Sequence, residues 1–133
     1  MKIGEVARRT GLTVEAIRFY EGQGLIEEPP RSRSRYRDYP EEVVSRLDFI
    51  QRSKELGFSL REVGELLALR DRPDARSSDV KERAGAKVRE IERKIRALRG
   101  MKASLSRLAR ACDGEGPTRA CAILTAIETG NEP

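Results

Sequence analysis

From Asp79 to Ala111 the chain contains no proline, and only Gly85 and Gly100 interrupt a run of good helix formers. A helix over this span would be about 50 Å long at ~1.5 Å per residue. With heptad position a at Val88, the seam reads Val88, Ile91, Ile95, Leu98, Lys102, Leu105, Ala109 and Cys112. Five of its first six sites are strongly apolar. A lone helix cannot bury such a seam, so the pattern predicts a two-helix coiled coil and a homodimer. Lys102 is the one violation at an a position and can set register.

The rest of the chain divides around this helix. Residues 1–70 read as one small domain, 71–78 as a hinge marked by Pro73 and its polar neighbours, and 79–111 as the coiled coil. Residues 112–133 read as a loop and a short helix. In the first segment, Ile3, Val6 and Ala7 share a helical face, and Gly11 follows as a stop. Thr13 caps a second helix whose inward face is Ala16, Ile17 and Tyr20. Helix, glycine turn and helix within some twenty residues is the helix-turn-helix plan. Leu25-Ile26 and Tyr36 to Tyr39 are candidate strands of a small wing, with Ser34-Arg35 near its tip. Pro40, Glu41 and Glu42 suit a helix start, and Val43, Val44, Leu47 and Ile50 make its inward stripe. Ser59 and Glu62 match a capping box ahead of Leu60, Val63, Leu66 and Leu67. The fold class is therefore mainly α.

Charged residues make up 37% of the chain and aromatics 5%, which suits solvated helices. No apolar run approaches bilayer length, and "MKIGEVARRTG" lacks the apolar stretch of a signal peptide. The expected location is the cytoplasm, with no membrane partner. The net charge of +5 is not concentrated in the helix-turn-helix, since residues 1–70 carry 13 basic and 12 acidic side chains. What stands out is local. Arg31, Arg33, Arg35 and Arg37 alternate along one potential face with Tyr36 among them, a cationic edge suited to phosphates. Arg18 projects from the second helix, placed to enter a major groove. A solvated charged hairpin is the plainer alternative. The long helix, with 11 basic and 3 acidic residues over 81–110, is a rival basic surface, but the heptad gives that helix another role.

The two cysteines, Cys112 and Cys121, bracket "CDGEGPTRAC" with eight residues between them, and the chain has no histidine. In a reducing compartment such a pair is more often a ligand set or a reactive couple than a bridge. Thiolates favour soft metals. Two ordinary buried thiols and a redox pair are the competing readings. No general base, activated nucleophile or phosphate loop points to an enzyme.

"MKIGEVARRTGLTVEAIRFYEGQGLI", "RYRDY" and "LDFIQRSKELGFSLREVGELLAL" together resemble the MerR family of transcription regulators, and the resemblance continues into the cysteine loop. It implies a winged helix-turn-helix DNA-binding domain, an antiparallel coiled-coil dimer and a C-terminal metal-binding loop. It implies a palindromic promoter operator, RNA polymerase as a partner, and activation by distortion of double-stranded DNA when an effector binds. By position, Arg18, Tyr20, Arg31, Tyr36 and Arg37 correspond to the family's DNA contacts, and Cys112 and Cys121 to its metal ligands. Ser34-Arg35 departs from the Asn-Gly common at the wing tip. Relatives that sense divalent ions take a third cysteine from the partner's long helix, and Ser77 aligns there. This favours the copper-efflux-regulator (CueR-like) type and a soft monovalent ion: Cu(I), Ag(I) or Au(I). The copper-type loop is usually one residue shorter, and "CAILTAIETG" is similar to the divalent type, which keeps Hg, Zn, Cd or Pb as the alternative. A thiol-redox regulator using the same loop is the other alternative.

Overall fold

The computed structural model describes residues 1–30 and 38–131. In chain order the helices are α1 (Ile3–Thr10), α2 (Val14–Gly22), α3 (Glu42–Glu55), α4 (Leu60–Asp71), α5 (Ser77–Ala111) and α6 (Ala122–Thr129), with a 3₁₀ turn at Thr118–Ala120. The described residues contain no strand. Among the described residues no helix is long and apolar enough to cross a membrane. The chain forms two compact units, Met1–Arg83 and Ala84–Pro133.

In the first unit each helix starts and stops where its chemistry directs. Gly11 closes α1 with φ 75°, in the left-handed region where a side chain is strained. The Thr13 hydroxyl accepts from the Ala16 amide at 3.1 Å and caps α2. Ser59 and Glu62 bond each other's backbone in a full capping box at the head of α4. The inward faces then converge on one core: Val6 from α1, Ile17 and Tyr20 from α2, Val43, Leu47 and Ile50 from α3, Val63 and Leu67 from α4. Ion pairs rim it. Arg46 bridges to Asp71 at 3.0 Å, and Arg83 at the start of α5 pairs with Glu65 on α4.

The segment after α2 differs from expectation. Leu25 and Ile26 form a bend rather than a strand. Gly24, at φ 74°, turns the chain so that the Leu25 amide bonds back to the Tyr20 carbonyl at 3.0 Å. The Leu25 carbonyl is taken by Arg46 Nε at 2.7 Å. Both polar groups of Leu25 are thus held by helices, and Leu25 and Ile26 drop into the core as single anchors. Tyr39 is not in a strand either; its amide donates to the Met1 carbonyl at 2.7 Å. Ser34-Arg35 and Tyr36-Arg37 lie outside the described residues.

The long helix is present as α5, 35 residues and about 52 Å at ~1.5 Å per residue. Ser77 is its first residue. The start is closed by Asp79, whose carboxylate accepts from the Arg76 amide at 3.1 Å. Along the seam, Val88, Ile91, Ile95, Leu98 and Leu105 are each between 39% and 61% exposed within the single chain. Met101, beside the seam, is 55% exposed and widens the apolar stripe.

Ile50 is fully buried. Ile50→Ala is expected to lower the unfolding free energy by about 2–5 kcal/mol, and Ser59→Ala by about 1 kcal/mol. Urea titration would read both as a lower midpoint at unchanged slope. A loss in Ser59→Ala as large as in Ile50→Ala would refute this division between core and cap.

Candidate metal centre and nucleic-acid surface

In the second unit, α5 ends at Ala111 and Cys112 is the next residue, its amide still bonded to the Ala109 carbonyl at 3.4 Å. The chain then has to reverse within a few residues. Asp113 starts the reversal by accepting from the Glu115 amide at 2.9 Å. Gly114 and Gly116, at φ 80° and 88°, supply backbone that other residues reach only under strain. Pro117 leads the 3₁₀ turn, whose last bond joins the Cys121 amide to the Thr118 carbonyl at 3.0 Å. Cys121 is therefore delivered to the N-cap of α6.

Both cysteines are free thiols and half-buried. The Cys121 thiol ionises below its usual value. The Leu124 and Ile123 amides contribute most, burial opposes them, and the Cys112 side chain adds a favourable hydrogen bond. The Cys121 side chain makes no cap hydrogen bond. The two amides thus act on the charged form, as the positive end of a helix does. The loop sets Cys112 at the end of α5 and Cys121 at the start of α6, and the α6 amides bias Cys121 toward the anion that a soft cation needs. Asp113, a possible supplementary ligand, already has one oxygen committed to the turn. Among the described residues no group of three or more His, Cys, Asp or Glu side chains is placed to hold a metal. The donor set fits a two-coordinate soft ion and does not by itself fit four-coordinate zinc.

In the first unit, α2 presents Arg18 to solvent. Tyr20, also expected to contact DNA, is 5% exposed and belongs to the core. Its position in the sequence pattern does not carry its orientation; the ring lies on the Ile17 side of α2. Phe19 is the aromatic that faces outward, 49% exposed beside Arg18. Sequence reasoning passed over it, although it is the residue left off the Ala16–Ile17–Tyr20 face. Arg31, Arg33, Arg35, Tyr36 and Arg37 lie outside the described residues. Their flanks are fixed: the Asp38 amide donates to the Pro30 carbonyl at 3.2 Å.

A folded Cys121 that ionises below its unfolded value stabilises the fold above the unfolded pKa and loses that contribution as pH falls through the folded one. In Cys112→Ser, alkylation of Cys121 is expected to reach half its maximal rate below about pH 8.5, the free-thiol value. The midpoint is expected to rise to that value in urea. Identical profiles in the folded and unfolded protein would sink this account of the cap.

Comparison with known proteins agrees with this layout. Residues 1–69 match the model of the MerR HTH family regulatory proteins, and residues 44–108 match that of the MerR DNA-binding region. The chain is 45% identical over 115 residues to the HTH-type transcriptional regulator CueR of Escherichia coli O157:H7, covering 86% of this chain and 85% of the relative. It is 38% identical over 126 residues to the mercuric resistance operon regulatory protein of Bacillus cereus, covering 95% and 96%. Among solved structures it is similar to the transcription regulator PbrR691 of Ralstonia metallidurans CH34 in complex with lead(II), with a TM-score of 0.87 and 36% identity over 96% of this chain and 98% of that one. The helix-turn-helix, the long α5 and the sequence matches agree: the chain belongs to the MerR family of helix-turn-helix regulatory proteins.

Proposed function

We propose that this protein is a metal-responsive transcriptional activator, not an enzyme, that acts in the cytoplasm as a homodimer on palindromic promoter DNA together with RNA polymerase. The observation that carries the reading is the placement of two free thiols at the two ends of the tight loop between α5 and α6, one of them favoured as thiolate by helix amides. The relatives named for mercuric resistance and crystallised with lead(II) support a metal as effector. Cys112 and Cys121 are the proposed ligands. A soft cation there would join the end of α5 to the start of α6 through sulfur.

The effector we favour is monovalent: Cu(I), Ag(I) or Au(I). Two thiolates complete a linear site, Ser77 supplies no third thiol, and the described residues offer no larger cluster. The eight-residue spacing and the lead(II) complex of a similar protein favour the second reading, a divalent ion. The dimer would form through the apolar seam of α5 as an antiparallel coiled coil. DNA would be held by Arg18 on α2 and by Arg31, Arg33, Arg35, Tyr36 and Arg37, with Tyr20 acting from within the core to support α2. In the metal-loaded state the dimer would distort the operator and bring the promoter elements into register.

A promoter reporter challenged in parallel with Ag(I), Cu(I), Hg(II), Zn(II), Cd(II) and Pb(II) tests the effector. Induction is expected with Ag(I) and Cu(I), and its abolition in Cys112→Ser and Cys121→Ser with operator binding retained. Induction by Cd(II) or Pb(II) but not Ag(I) would establish the divalent reading instead. Oxidant-driven induction in the presence of a chelator would replace the metal with thiol chemistry.

A further inference from the structure

Tyr39 lies two residues beyond Arg37, the last of the four alternating arginines. It is among the most deeply buried side chains, 2% exposed, yet it ends in a hydroxyl. Core filling alone would be met by phenylalanine. A buried hydroxyl needs a partner, and here it donates to Oε1 of Glu21, eighteen residues earlier in the last turn of α2. A hydrogen bond to a carboxylate is stronger and more directional than one between neutral groups.

The surroundings give this bond a mechanical meaning. The Tyr39 amide is held by the Met1 carbonyl at 2.7 Å. The Asp38 amide is held by the Pro30 carbonyl at 3.2 Å, so the residues flanking segment 31–37 are joined to each other. Arg18 and Glu21 lie one turn apart on α2. One phenol hydroxyl therefore links the helix that carries Arg18 to the closed base of the segment that carries Arg31, Arg33, Arg35 and Arg37. Phosphates along a duplex have fixed spacing, so two cationic elements engage them together only when their separation is fixed as well.

We propose that Glu21 and Tyr39 form a positioning pair for DNA recognition, setting the separation between α2 and the base of the arginine segment without touching DNA themselves. The inference rests on the DNA-binding reading above. It gives a role to a buried hydroxyl and to a carboxylate on the helix expected to meet a polyanion.

The test measures binding of the full-length protein to a duplex that the wild type selects from a randomised palindromic library, as a function of salt. Tyr39→Phe and Glu21→Ala are expected to weaken binding about tenfold and to reduce the slope of log Kd against log salt by about one to two, as phosphate contacts disengage. Glu21→Gln, which keeps an acceptor, is expected to recover most of the slope. Helical circular dichroism shows whether each variant is folded, and Glu21→Ala decides the matter where Tyr39→Phe is not. Weaker binding at a wild-type slope would mark the pair as merely structural and overturn the inference. Arg33→Ala and Arg35→Ala separate it from the parent reading. If both bind as wild type, the DNA reading falls and the inference with it. If both weaken binding while Tyr39→Phe and Glu21→Ala behave as wild type, the inference alone falls.

Discussion

An apolar stripe along a solvated helix has to be covered, and in this chain the stripe on α5 is not. Ile91 and Ile95 retain about two-fifths of their surface, and Leu98 and Leu105 about three-fifths. At ~25 cal/mol per Å² of apolar surface, covering such a row from both sides is a substantial driving force for association. The proposed dimer and its operator depend on this constraint. A palindromic operator requires two reading heads related by a twofold axis, and α5 is the element whose unburied face provides a reason for the second copy.

The metal-binding proposal depends on a smaller electrostatic arrangement. Cysteine is a weak ligand as a thiol and a strong one as a thiolate. The loop places Cys121 against the amides that open α6, and these favour its anion. Backbone dipoles of this kind stabilise a thiolate without contributing a full charge of their own. The net charge of the two sulfurs, −2 when both are ionised, is then available to the effector alone.

Much of the first unit was legible in the sequence because its signals are local. Gly11, Thr13, Ser59 and Glu62 act within four residues of themselves, and the stripes of α3 and α4 repeat with the helical period. The heptad of α5 was legible for the same reason. What escaped depends on distant partners. Leu25 and Ile26 read as a strand until Arg46, twenty-one residues away, takes the carbonyl that a strand would have shared. Tyr20 was legible as an inward residue from the period of α2, at odds with its alignment to DNA contacts by family pattern, and it is Phe19 that turns outward. The Glu21–Tyr39 bond could not be read from spacing, because no period connects a helix end to the residue after a loop. In the cysteine loop, the helix N-terminus beside Cys121 was foreseeable from sequence, and the commitment of Asp113 to the turn was not.

The order of that loop bears on how a bound ion could do regulatory work. Reversing a two-state population from 1:99 to 99:1 needs a preference of about 5.5 kcal/mol for one state. A disordered loop would absorb part of the binding free energy in becoming ordered. Here the Asp113 turn, the left-handed glycines and the 3₁₀ turn order the loop and deliver Cys121 to the start of α6. A loop with such internal bonds has less to order on binding than a disordered one. The binding free energy left over then serves to distinguish two conformations, which is the only way an effector can shift an equilibrium.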